Sequence, residues 1–122
     1  MSSRPGFRSA IALLVGSILI TTLNYQSAVA VTGSVSGYVG EGGNLTLTAP
    51  AGTVFTSVAF ASYGTPDIGS TPYTLGPCHA AGSSTVVAAA FIGLNSATIG
   101  GNNSTFTDPC VGTGKRLAVT LN

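Results

Sequence analysis

The chain has 122 residues, of which 6% are charged, and a formal net charge of +1. That length holds one domain. Four Lys and Arg in all cannot neutralise a run of phosphates, which excludes nucleic acid as an electrostatically driven partner, and no polybasic patch exists to grip an anionic membrane.

Residues 1–30 read as a secretory signal peptide. Arg4 and Arg8 open it, residues 9–23 (SAIALLVGSILITTL) are uncharged and mostly apolar, and Ala28-Val29-Ala30 is an A-x-A cleavage site. The apolar stretch is shorter than the roughly 20 residues a membrane-crossing helix needs. The expectation is a secreted, extracellular protein with no membrane anchor after cleavage. Its domain is residues 31–122, whose charged groups are Glu41, Asp67, Asp108, Lys115 and Arg116: three acids against two bases, a net charge of −1.

Residues 31–44 are rich in Gly and Ser and leave room for one short edge strand about Val35–Val39. Asn44–Thr48 alternates, with Leu45 and Leu47 on one face. Pro50-Ala51-Gly52 is a turn. Val54–Ser62 is apolar and β-branched at Val54, Val58 and Phe60, the pattern of a central strand. Gly64, Pro66, Gly69, Pro72, Gly76 and Pro77 make residues 64–78 a long loop. Ser83 or Ser84 can cap a helix running to about Ile92, with Gly93 ending it. Its inward stripe is Val86, Val87, Ala90 and Phe91; a strand is the alternative, because the two valines favour β structure. Ala97–Gly100 predicts a short strand. Arg116–Leu121 alternates with Leu117, Val119 and Leu121 inward. Strands, one main helix and a returning strand predict an α+β domain, a small antiparallel sheet with a helix packed on it.

The chain has two cysteines, Cys78 and Cys110. A secreted chain meets oxidising conditions, so a disulfide between them is the expectation; two free buried thiols or a metal pair are the alternatives. The single histidine, His79, makes them a poor zinc site and reads as structural. N-x-[S/T] sequons stand at Asn44, Asn102 and Asn103 and matter only in a eukaryotic secretory pathway.

Chemistry concentrates in residues 103–119, NSTFTDPCVGTGKRLAV. Asp108, the loop glycines Gly112 and Gly114, and Lys115 bring a carboxylate, backbone N–H groups and an ammonium together within eight residues, a set suited to a polyhydroxylated ligand. This string resembles the closing motif of the galactose/rhamnose-binding lectin domain first described from sea urchin eggs, N-x-x-F-x-D-P-C-x-G-T-x-K-x-L. EGGNLTLTAPAGTVF (41–55), FASYGTP (60–66) and GPCHAAGSSTVVAAAFIGLNSATIG (76–100) resemble further pieces of that domain, in order. The wording YGTP and KRL is most similar to the copies at the tails of plant β-galactosidases. The resemblance covers about residues 41–119.

That resemblance implies a five-stranded antiparallel sheet with one long and one short helix, and a Ca²⁺-independent site for galactose- or rhamnose-type glycans. Carried onto this chain, it implies Glu41, Tyr63 and Lys115 as sugar-contacting residues, and Cys78 paired with Cys110. Asp108 reads as a scaffold for the 108–114 loop, since Asp before Pro bonds the following amides. Asn103 orders the same loop, and the Gly112 or Gly114 amide touches the ligand. The family carries about eight cysteines. Here Ala49, Phe91 and Ala97 stand at such positions, and Phe91 with Ala97 predicts apolar packing in place of a covalent link. Many members follow the Tyr-Gly pair with arginine; Thr65 stands here, which removes one contact.

No cofactor is expected: calcium needs six to eight oxygens, and the chain has no acidic cluster. No catalysis is expected either, because no pair among Glu41, Asp67 and Asp108 sits in a catalytic motif and no nucleophile elbow accompanies His79. The alternative reading is a structural surface protein that keeps this fold without binding sugar and self-assembles into a homo-oligomer through uncharged strand edges.

Overall fold

The computed structural model describes residues 33–122; the signal-peptide reading of residues 1–30 lies outside them. Five strands and two helices follow in order: β1 (Val35–Gly40), β2 (Asn44–Thr48), β3 (Val58–Gly64), α1 (Ser83–Phe91), β4 (Ser96–Gly100), α2 (Asn103–Phe106) and β5 (Arg116–Leu121). The architecture is α+β. Its strands form two antiparallel sheets, β1-β5-β3 and β2-β4.

β2 shows why alternation decides a strand's place. Leu45 and Leu47 are buried while Asn44, Thr46 and Thr48 are exposed, so one face joins the core and the other stays wet. On β4 Ile99 is buried, and across the pair Thr46 and Thr98 share a hydroxyl bond of 2.6 Å, Thr48 and Ser96 one of 2.7 Å. β5 is central. Leu117, Ala118, Val119 and Leu121 have no exposure, so both of its faces are covered.

β3 begins later than its composition predicts. Val54 lies outside the strand and is 49% exposed, whereas Phe55 is 1% exposed and bridges Ile92. A bulge between Val58 and Phe60 shifts the register, and a bulge reverses which residues face inward. Ala61 and Tyr63 therefore enter the core. Phe60 turns to the opposite face, where it meets Tyr73 of the 65–77 loop edge-on, ring centroids 6.3 Å apart.

α1 ends at Phe91, one residue short of the predicted end, with Ile92 extended and Gly93 beyond it at φ +87°. Its N-cap is Gly82, with no side-chain cap. Ser83 bonds elsewhere. Its hydroxyl donates to the Ala80 carbonyl (2.6 Å) and accepts from the Tyr63 amide (3.0 Å). A fully buried hydroxyl thus seats the helix on β3, with its donor and its acceptor both satisfied. Val87 and Phe91 are fully buried, and Val86 and Ala90 pack beside them.

One hydrophobic core joins Leu45, Leu47, Phe55, Tyr63, Phe91, Phe106 and Leu117, and contains Ala49 with Ala97 packed against it. Phe91 and Ala97 meet the same core, as predicted for positions without a covalent link. Cys78 and Cys110 form a disulfide across a sequence separation of 32. In the chain-entropy account such a loop closure contributes roughly 3–4 kcal/mol.

Candidate functional site

The register of the three-stranded sheet builds the site. Gly40 of β1 and Gly64 of β3 both pair with Arg116 of β5. Glu41, just past the end of β1, therefore lies opposite Lys115, just before the start of β5, although 74 positions separate them in sequence. The Glu41 amide donates to the Lys115 carbonyl (2.9 Å), and the Lys115 amide donates to Glu41 Oε1 (3.0 Å). The carboxylate is held by backbone before any charge is counted.

The Lys115 side chain is 2% exposed. Its Nζ lies 3.3 Å from Glu41 Oε1, 3.1 Å from Asp108 Oδ1, and donates to the Thr113 carbonyl at 2.8 Å. Three acceptors match the three N–H bonds of an ammonium. Lys115 is thus a clamp whose three donors are committed within the protein, which does not fit the direct ligand contact expected of it. Burial disfavours its charge, but the hydrogen bonds to Asp108 and Glu41, with their negative charges, outweigh that and raise its pKa above the ordinary 10.5.

Glu41 and Asp108 side chains are 34% and 29% exposed. In each, one oxygen turns to the ammonium, and among the described residues the second makes no hydrogen bond. Asp108 Oδ1 also accepts from the Cys110 amide (3.2 Å), the scaffold geometry expected of Asp-Pro. Gly112 and Gly114 are exposed and flank Thr113, and the φ of +81° at Gly112 suits a residue without Cβ. Val111 beside them is 86% exposed, an apolar surface on the same loop.

Tyr63 is fully buried, so it does not line the surface directly. Its ring stacks on Phe106 (5.1 Å between centroids), and its hydroxyl donates to Asn103 Oδ1 at 2.6 Å. It positions Asn103, which is exposed at the start of α2. Burial first, then the Glu41 carboxylate, raises its pKa above 10.0, with Lys115 opposing. The Tyr63 hydroxyl thus lies within electrostatic reach of the clamp.

Both raised groups have the same pH sign. A pKa raised by folding contributes stability that is present below the unfolded value and is lost as pH climbs through the folded one. Stability is expected to fall above about pH 10, and Lys115→Met should flatten part of that decline in chemical-denaturation midpoints measured between about pH 8 and 12.

Four contacts in and around the site come from groups to which composition and motif assign no such role. Asn102 caps α2, its Oδ1 accepting from the Thr105 amide at 2.9 Å, and an Asn ahead of Ser-Thr was a readable signal. The Thr113 carbonyl had no signal, being backbone. Thr65 accepts from the Cys78 amide through its hydroxyl (3.1 Å). Arg116, the first residue of β5, donates from Nε and Nη2 to the Pro66 carbonyl (2.9 and 2.6 Å). His79 shares a hydrogen bond of 2.9 Å with buried Ser62, a structural partnership.

Among the described residues no group of three or more His, Cys, Asp and Glu is placed to hold a metal ion. A comparison with protein-family models finds no match for the chain.

Proposed function

We propose that residues 31–122 form a secreted, Ca²⁺-independent carbohydrate-binding module of the galactose/rhamnose-binding lectin type, with no catalytic role. The observation that carries this reading is the Lys115 clamp, which fixes two half-exposed carboxylates, Glu41 and Asp108, side by side. Adjacent hydroxyls on a sugar ring offer donors to such a pair, and charge-assisted bonds are the stronger kind. Asn103 and the amides about Gly112 and Gly114 add neutral donors, and Val111 offers apolar cover for C–H groups.

The charge count sharpens the ligand class. Two carboxylates and one ammonium leave the site at −1, and the ammonium's donors are already committed. Neutral sugars are accepted, and uronic or sulfated sugars meet repulsion from the two carboxylates, whose one paired ammonium has its donors committed. Calorimetric titration with L-rhamnose, D-galactose and D-galacturonate tests this. The expected result is binding of a neutral sugar and at least tenfold weaker binding of galacturonate. No binding of either neutral sugar up to about 10 mM, or preference for the acid, would refute the proposal.

A second reading, a self-associating surface protein, has one observation in its favour. β1 is an edge strand with no charged residue and with Tyr38 55% exposed, and uncharged edges template pairing. Sedimentation velocity separates the two: concentration-dependent assembly without sugar binding selects the second reading.

A further inference from the structure

The site loop runs from Phe106 to Lys115, both buried, and none of the eight residues between them is buried. No side chain of 107–114 belongs to the hydrophobic core. A loop without core anchors depends on discrete fastenings, and two kinds hold this one. On one side Lys115 Nζ grips Asp108 Oδ1 and the Thr113 carbonyl. In the middle the disulfide ties Cys110 to Cys78.

The Cys78 end is fixed to the body. Its carbonyl accepts from the Thr65 amide (2.9 Å), its amide donates to Thr65 Oγ1 (3.1 Å), and Gly64 bridges His79. A Cβ at Gly64 would run into the Cys78 carbonyl, so the backbones meet with no slack. The Cys110 end is fixed to the site: the Cys110 amide is a donor to the Asp108 carboxylate. The disulfide therefore connects a rigid wall to the backbone that orients one of the two carboxylates.

We infer that the Cys78–Cys110 disulfide is a redox latch on the binding site, so that its reduction releases the 107–114 loop and weakens ligand binding while the core stays folded. This rests on the carbohydrate-binding reading for its functional half and on the loop's anchorage for its structural half. Both cysteines are half-buried, within partial reach of solvent. The reductant is a dithiol. One of its thiolates attacks a cystine sulfur, forming a mixed disulfide and expelling the other cysteine as thiolate, which takes a proton. The second reagent thiol then displaces the remaining cysteine, so two electrons and two protons pass to the protein and the reagent leaves as its own disulfide. Because these are the only two cysteines in the chain, no second bridge restrains the loop once this one opens.

The test is dithiothreitol reduction of the folded protein below its melting temperature, followed by amide hydrogen exchange and by titration with L-rhamnose and D-galactose. Cys78→Ser/Cys110→Ser serves as a second route to the open form. Exchange at 107–114 is expected to rise at least tenfold while β3 and β5 stay protected, affinity to fall at least tenfold, and reoxidation to restore both. Unchanged loop exchange in the reduced protein overturns the inference. So does loss of loop and core protection together, because the bridge would then support the whole fold. If the oxidised protein binds neither sugar, the functional reading fails, and the exchange pattern alone still decides whether the loop is latched.

Discussion

Replacing Phe91 by alanine is expected to cost about 3–5 kcal/mol, the usual range for an aromatic deleted from a closed core. Phe91 ends α1 with no exposure and meets Phe55 edge-on, centroids 5.9 Å apart and planes at 80°. It also stands where helix and following strand must be held without a covalent link, with Ala97 packed on the same core. Its aromatic neighbour cannot readily collapse into the void, because Phe55 is fixed by two backbone bonds, its amide to the Leu94 carbonyl (2.9 Å) and its carbonyl to the Gly93 amide (2.8 Å). In a domain this small the loss corresponds to a melting temperature lower by at least about 12 °C. Phe91→Leu keeps most of the volume and should lose less than half as much; equal losses for the two variants would contradict the packing account.

Replacing Lys115 by methionine is expected to abolish or reduce sugar affinity by at least tenfold while the strands remain paired. Methionine keeps the apolar stem, so the change removes the ammonium and little else. Glu41 and Asp108 then face one another without their shared cation, and like charges at that range push apart. The backbone bonds between residues 41 and 115 survive, so β1 and β5 keep their register. The Thr113 carbonyl loses its donor and the loop loses one of its two fastenings. Lys115→Arg is an informative partner, because a planar guanidinium cannot reproduce the ammonium's three divergent bonds in so closed a place. Full affinity in the methionine variant would remove the clamp from the account.

How much of this was legible beforehand depended on whether the deciding interaction was local. In Asn44–Thr48, alternation alone placed Leu45 and Leu47 inward, because one wet face and one dry face leave a period of two. Leu117, Val119 and Leu121 reach the same core as expected, but β5 has no wet face, because Ala118 and Thr120 between them are buried as well. The start of β3 was not legible: Val54 looks like a strand residue, and the bulge at Val58–Phe60 that turns Ala61 and Tyr63 inward leaves no mark in composition. Ser83 reads as a cap because serine commonly caps, yet its hydroxyl is drawn to the Tyr63 amide by tertiary packing.

The candidate site divides in the same way. Glu41, Asp108, Cys110 and Lys115 could be picked out as chemistry-bearing residues, but their division of labour could not. Lys115 became a clamp through the pairing of Gly40 with Arg116, a register set by sheet formation across most of the chain. Tyr63 was legible as a member of the neighbourhood. Its burial against Phe106, which leaves Asn103 as the exposed member of that pair, depends on how α2 packs.

The most direct test is an amide-resolved NMR titration of the oxidised domain with L-rhamnose and D-galactose at neutral pH. Saturable shifts are expected to cluster at Glu41, Asn103, Cys110, Gly112, Gly114 and Lys115, with the Thr46–Thr98 face unmoved. Shifts confined to another face, or none up to about 10 mM of either sugar, would contradict the binding proposal.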